Sequence, residues 1–123
     1  MDAGDEFEQA ERCLRSCELL LADDDVIGAV NRLYYSLYHA ACAALTHRGV
    51  EIPKTHSGLI ARFGETFVKS GDFPSDLGRL LNQAEHQRLL SDYSCDRPDP
   101  TLLPDLTTRA KAFLAVIRAL ISD

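Results

Sequence analysis

Apolar residues recur along most of the chain at spacings of three and four, which is typical of one buried face of an α-helix. In the first stretch, from about residue 5 to residue 22, these positions are Phe7, Ala10, Leu14, Cys17 and Leu21. In the last stretch, from about 104 to 121, they are Leu106, Ala110, Phe113, Leu114, Ile117 and Leu120. Outside the helical stretches, no segment of four or more residues alternates apolar and polar residues, so the pattern predicts no strand.

Turn and capping residues divide the chain into five predicted helices. The acidic run Asp23-Asp24-Asp25 ends the first helix and supplies the N-cap of the second. The second helix is predicted from about 26 to 48, because Gly49 is a natural C-terminal stop. A third is expected to begin near Thr55 or Ser57 and to continue to about residue 70, and a fourth, capped by Ser75, covers about 76 to 93.

The segment before the last helix, 94–104, contains three prolines and is predicted to be a loop. The other connections are short, and short connections between long amphipathic helices favour antiparallel neighbours. We therefore expect one all-α domain over residues 1–123, an up-and-down helical bundle of about five helices with a four-helix core.

Composition narrows the class of protein. The chain has 123 residues, 46% of them apolar and 26% charged, which is a normal globular balance for a domain that needs no metal or disulfide to fold. The cysteines have the spacing of neither a zinc site nor a disulfide framework, and we interpret them as small core residues: Cys13, Cys17, Cys42 and Cys95.

Hydropathy indicates the cellular location of the protein, and net charge indicates the kind of partner that it can bind. No apolar run approaches the ~18 residues of a membrane span, and the acidic N-terminus does not resemble a signal peptide, so a cytoplasmic protein is expected. The net charge of -6 argues against nonspecific coating of nucleic acid. It leaves room for a local basic site, or for a partner with basic patches.

The second predicted helix carries a polar stripe in the run NRLYYSLYHAACAAL. Arg32 and His39 are seven residues apart, which places them on nearly the same face and about 10 Å apart along the helix axis. Tyr35 lies between them. A polar stripe on the most apolar helix must meet a polar partner or line a cleft.

These residues are part of a wider pattern that resembles one protein family. The matching segments are Asn31 to Ala40, KTHSGLI at 54–60, FVKSG at 67–71, LGRLL at 77–81 and RLLSDY at 88–93. In this order and spacing they resemble the HEPN family, the higher-eukaryote and prokaryote nucleotide-binding helical domains, in its small prokaryotic branch associated with minimal nucleotidyltransferases.

The resemblance implies a symmetric homodimer of helical bundles and, in many members, a metal-independent ribonuclease. Such members carry Arg, four to six residues, then His, and both protomers contribute to one cleft. Carried over to this chain, Arg32 would bind the scissile phosphate and His39 would act as acid or base. Asn31 and Tyr35 would be supporting polar groups, and neither metal nor cofactor is expected.

The resemblance also implies partners. Many members are toxins encoded beside a minimal nucleotidyltransferase antitoxin, and their ligands are RNA or nucleotides.

Two positions of this chain depart from the family pattern. The residue after the arginine, often polar in active members, is Leu33, although Asn31 precedes it. Ala41 stands where some toxins carry a tyrosine that the partner enzyme modifies.

A second group of polar residues precedes the third predicted helix. Lys54 and His56 flank a helix start whose free N–H groups favour anions, so they are candidates for phosphate binding. The alternative interpretation is that His56 only begins the helix and Lys54 is a loop charge.

The polar stripe on the second predicted helix has two further interpretations. The same dimer could be a non-catalytic module that binds a nucleotide or a nucleotidyltransferase partner. The stripe could also serve only to hold a homodimer together. We interpret the three tyrosines of this helix as packing residues whose hydroxyls reach the surface: Tyr34, Tyr35 and Tyr38.

On the fourth helix, the four-residue spacing of Arg88 and Asp92 predicts a surface ion pair.

Overall fold

The computed structural model describes residues 2–93 and 97–122, so Cys95 lies outside the described residues. The five helices are α1 (Ala3–Ala22), α2 (Val26–His47), α3 (His56–Phe63), α4 (Ser75–Tyr93) and α5 (Leu103–Ile121). A π-helical turn, Gly64–Val68, follows α3, and a 3₁₀ turn, Pro100–Leu102, precedes α5. No strand occurs within the described ranges, which confirms the all-α prediction.

Local capping explains where α2 and α3 begin. The Asp25 carboxylate accepts a hydrogen bond from the Gly28 backbone N–H at 2.8 Å and caps α2, as predicted. Before it, Asp24 takes the left-handed conformation, φ 59°, which a short polar side chain tolerates. The Thr55 hydroxyl accepts from the Gly58 N–H at 3.0 Å and caps α3.

Helix α3 is shorter than the sequence predicts, because regular α-helix ends at Phe63 and the π-helical turn replaces its last part. The turn keeps Phe63 and Phe67 buried, with ring centroids 5.3 Å apart. Both rings belong to an aromatic end of the core that also contains Phe73 and Phe113.

Helix α2 is the centre of the bundle, with thirteen of its 22 residues buried. It packs against α1, α4 and α5, which gives the predicted core of four long helices. Five of its buried residues are alanines, and such small side chains let neighbouring helices approach closely: Ala29, Ala40, Ala41, Ala43 and Ala44.

The antiparallel hairpin of α1 and α2 fixes what surrounds the polar stripe. The buried Ser36 hydroxyl donates to the Ala10 carbonyl oxygen at 2.8 Å, so the middle of α2 is bonded to the middle of α1. The start of α1 therefore lies beside the second half of α2. This placement brings α1 side chains to Arg32 and His39.

Candidate functional site on helix two

Arg32 is half-buried and is oriented by its own helix. Its Nε and Nη2 atoms donate to the Asn31 side-chain oxygen at 3.0 and 2.8 Å, and its guanidinium lies 5.3 Å from the centroid of the Tyr35 ring. The remaining nitrogen, Nη1, lies 3.7 Å from the Cys13 sulfur on α1. Among the described residues no carboxylate pairs with Arg32, so its positive charge is not neutralised there.

His39 is held by a carboxylate that the sequence did not indicate. Its Nδ1 atom is 2.8 Å from Oε2 of Glu6, in the first turn of α1, and both side chains are largely buried, with 22% and 17% of their surface exposed. In the sequence, the three-residue turn between α1 and α2 predicts that the two helices are antiparallel neighbours. This indicates that the start of α1, which contains Glu6, lies near His39. It does not indicate which α1 side chain reaches the imidazole.

A row of aromatic rings connects Arg32 to His39. Beside Arg32, the Tyr35 ring lies 5.9 Å from the Tyr38 ring, which in turn makes an edge-to-face contact with His39 at 5.4 Å. The predicted stripe is therefore one continuous surface on α2. Aromatic side chains beside a cation are a common platform on which nucleobases stack.

His56 joins this row from the start of α3. Its Nδ1 atom is 2.8 Å from the Tyr34 hydroxyl, and its ring lies 5.0 Å from the Tyr38 ring. The interpretation of Tyr34 as a residue whose hydroxyl reaches the surface is wrong, because Tyr34 is fully buried and bonds His56 instead. Burial raises the pKa of Tyr34 far above its ordinary value, and Glu85 adds to the effect, so the phenol keeps its proton.

Arg88 packs against the same aromatic side chains from α4. It forms the ion pair with Asp92 at 3.2 Å that the sequence indicated, and a second one with Glu85 at 3.1 Å. The surface location was wrong, since Arg88 is only 9% exposed and its guanidinium lies 4.8 Å from the centroid of the Tyr34 ring. Burial alone would lower the pKa of Arg88, but the pairing with Glu85 raises it overall, so the guanidinium stays charged.

Lys54 is not drawn into this group of side chains. It is exposed in the loop before α3 and lines a shallow groove of about 200 Å³ with Glu51, Ile52, Pro53 and Arg62. Of the predicted site residues, the structure therefore brings together Asn31, Arg32, Tyr35, His39 and His56. A role for Lys54 in phosphate binding stays a prediction.

Metal-ligand clusters and membrane-spanning helices would each indicate a particular kind of site. Within the part of the chain that the structure describes, no three or more His, Cys, Asp or Glu side chains come together in a way that could hold a metal ion. In the same residues, no helix is long and apolar enough to cross a membrane.

The fold and this surface define a small helical-bundle domain whose central helix presents an arginine, a histidine and a row of aromatic rings. A family model described as HEPN domain matches residues 3–121, and the chain belongs to this family.

Relatives match over most of the chain. A UPF0332 protein of Thermotoga maritima is 34% identical over 116 residues, which cover 94% of this chain and 87% of the relative. A protein of Methanocaldococcus jannaschii named "putative toxin" is 29% identical and covers 95% of this chain and 87% of its own length. A second protein of that name and organism is 33% identical over 71% of this chain and 58% of its own.

Proposed function

We propose that this protein is a toxin-like HEPN ribonuclease that cleaves RNA without a metal ion, through a composite site in a homodimer. The observation that carries the proposal is the placement of Arg32 and His39. Both are partly exposed on one face of α2, and among the described residues Arg32 has no carboxylate partner. An arginine in this state is available for a phosphate, which it can grip with two parallel N–H donors.

The reaction uses the nucleophile that RNA itself carries. The ribose 2′-hydroxyl attacks the adjacent phosphorus while a base removes its proton, and the bond from phosphorus to the 5′-oxygen breaks. An acid returns a proton to the leaving 5′-oxygen, which leaves a 2′,3′-cyclic phosphate and a free 5′-hydroxyl. Histidine changes its charge near neutral pH and can serve in either role, while Arg32 stabilises the charge that develops on the phosphate.

A homodimer completes the site. On one α2, Arg32 and His39 are separated by about 10 Å along the axis, which is too far for both to act on one phosphate easily. A two-fold axis beside α2 brings the arginine of one protomer near the histidine of the other and supplies both a base and an acid. Asn31 and Tyr35 keep Arg32 in place, as their contacts with the guanidinium indicate.

The toxin role rests on the relatives. Two of the matched proteins carry the name "putative toxin", and a toxin that degrades RNA requires an antitoxin. A minimal nucleotidyltransferase is the partner proposed for this chain, and the cytoplasm, where RNA is available, is its proposed location.

The test compares RNA cleavage by the wild type with that of Arg32→Ala and His39→Ala. Loss of acid–base catalysis in His39→Ala lowers the rate by about 10² to 10⁴-fold, and loss of charge stabilisation in Arg32→Ala by about 10² to 10³-fold, so both variants should be inactive. Arg15→Ala and His86→Ala, which change exposed residues on α1 and α4, are the matched controls and should stay active. Cleavage should survive EDTA, and DNA, which lacks the 2′-hydroxyl, should resist.

Mixing the two inactive variants tests the composite site. A mixed dimer has one arginine, from the His39→Ala protomer, and one histidine, from the Arg32→Ala protomer, so part of the activity should return although one of the two acid–base groups is missing. Sedimentation equilibrium at micromolar concentration, together with the helical circular dichroism signal, verifies that each variant is folded and dimeric. A strictly monomeric wild type would contradict the composite site.

The alternative function is a non-catalytic module that binds a nucleotide or a partner protein. It is favoured by the contacts that Arg32 and His39 already make within the chain, to Asn31 and Glu6. A wild type that binds mononucleotides and cleaves no RNA, alone or with its genomic partner, would replace the ribonuclease by this function.

A further inference from the structure

Glu6 makes a contact with His39 that bears on which ring nitrogen carries the proton. Its Oε2 atom lies 2.8 Å from Nδ1 of His39, a normal hydrogen-bond distance. An ionised carboxylate can only accept hydrogen bonds. The hydrogen between the two atoms therefore belongs to Nδ1, and in the neutral imidazole the lone pair is on Nε2.

The two side chains are brought together by tertiary structure. Glu6 lies in the first turn of α1, 33 positions before His39, and the α1–α2 hairpin places them side by side. Neither side chain is a freely solvated surface group, since less than a quarter of each is exposed. The edge-to-face contact with the Tyr38 ring restricts the imidazole from another direction.

We infer that Glu6 is a positioning residue that holds His39 in the Nδ1–H tautomer and so makes Nε2 the atom that exchanges protons with the substrate. Histidines that work as bases or metal ligands are commonly fixed in this way by a carboxylate on the other nitrogen. The role of Glu6 in catalysis rests on the proposed ribonuclease function, whereas the position of the ring proton does not.

The tautomer is measured directly by long-range ¹H–¹⁵N correlation NMR of the histidine rings at alkaline pH, where imidazole is neutral. In the wild type, Nδ1 of His39 should give the signal of a protonated nitrogen and Nε2 that of an unprotonated one. In Glu6→Ala the acceptor is gone, and the proton should move largely to Nε2. His39→Ala identifies the resonances.

Glu8→Ala is the matched control. It removes a carboxylate from the same end of α1, but from an exposed position, and should leave the His39 tautomer unchanged. RNA cleavage is then compared in the same variants. Glu6→Ala should be slower by at least about tenfold, the lower end of the loss that follows removal of a carboxylate that orients a metal-bound histidine, and Glu8→Ala should equal the wild type.

A carboxylate that only fastened α1 to α2 would lower the melting temperature and leave the tautomer of the folded protein as it was. An unchanged tautomer in Glu6→Ala, or cleavage equal to that of Glu8→Ala, overturns the inference while the ribonuclease function stands. A wild type that cleaves no RNA removes the catalytic role together with the proposed function. The NMR signals still decide whether Glu6 fixes the ring proton.

Discussion

Replacing Arg88 by alanine should destabilise the protein far more than its charged character suggests. Arg88 is 9% exposed, and its guanidinium pairs with Glu85 and Asp92 and lies against the Tyr34 ring. Removing one partner of a buried ion pair costs about 3–5 kcal/mol, because it leaves an uncompensated charge. The Glu85 and Asp92 side chains are 18% and 36% exposed, so water solvates them partly once the arginine is gone.

The partial exposure reduces the electrostatic cost to about 2 kcal/mol, and loss of the contact with the Tyr34 ring adds about 1 kcal/mol. A total of about 3 kcal/mol corresponds to a fall in Tm of about 10 °C for a domain of this size. Thermal unfolding followed by circular dichroism measures it. Arg79→Ala, at an exposed position on the same helix, is the control and should change the stability by less than about 0.5 kcal/mol.

A double variant separates the charge from the packing. Arg88→Met fills much of the same space but still leaves the carboxylates unpaired, and Arg88→Met with Glu85→Gln also removes the more buried of the two charges. The double variant should recover part of the stability that Arg88→Met loses. Equal melting temperatures for Arg88→Ala and Arg79→Ala would refute the reasoning, since they would mean that Arg88 is solvated.

Two further predictions concern buried polar side chains. Tyr34→Phe removes the 2.8 Å hydrogen bond to His56 and should cost about 1 kcal/mol in denaturant unfolding at neutral pH, with Tyr35→Phe as control. Because the pKa of Tyr34 is raised in the folded protein, the phenol loses its proton at a lower pH in the unfolded chain than in the folded one. The stability of the wild type should therefore fall above about pH 10, and the difference in stability between Tyr34→Phe and the wild type should become smaller. Burial raises the pKa of Cys17 to about 11 and that of Cys42 to about 12, so both should resist iodoacetamide near pH 8 until denaturant is added, as mass spectrometry would record. Rapid alkylation of the folded protein would contradict their burial.

The sequence by itself determined the helices and the stripe on α2. Helical periodicity and local caps depend on residues within a few positions of one another, so the start of α2 after Asp25 and its end before Gly49 could be predicted. The shared face of Arg32 and His39 follows in the same way from helix geometry. Where local signals were weaker, as in the π-helical turn after Phe63, the prediction of a regular helix was wrong.

Only the tertiary structure decided what these side chains meet. Glu6 reaches His39 across 33 positions and Tyr34 reaches His56 across 22, and no local pattern specifies either pair. Arg88 illustrates the reason most clearly. Its i,i+4 pairing with Asp92 was readable from spacing, but whether that pair is solvated depends on which helices cover it. Burial is a property of the packed bundle. It determines the energetic cost of placing a charge at a position, and it shifts the pKa of a side chain such as the Tyr34 phenol.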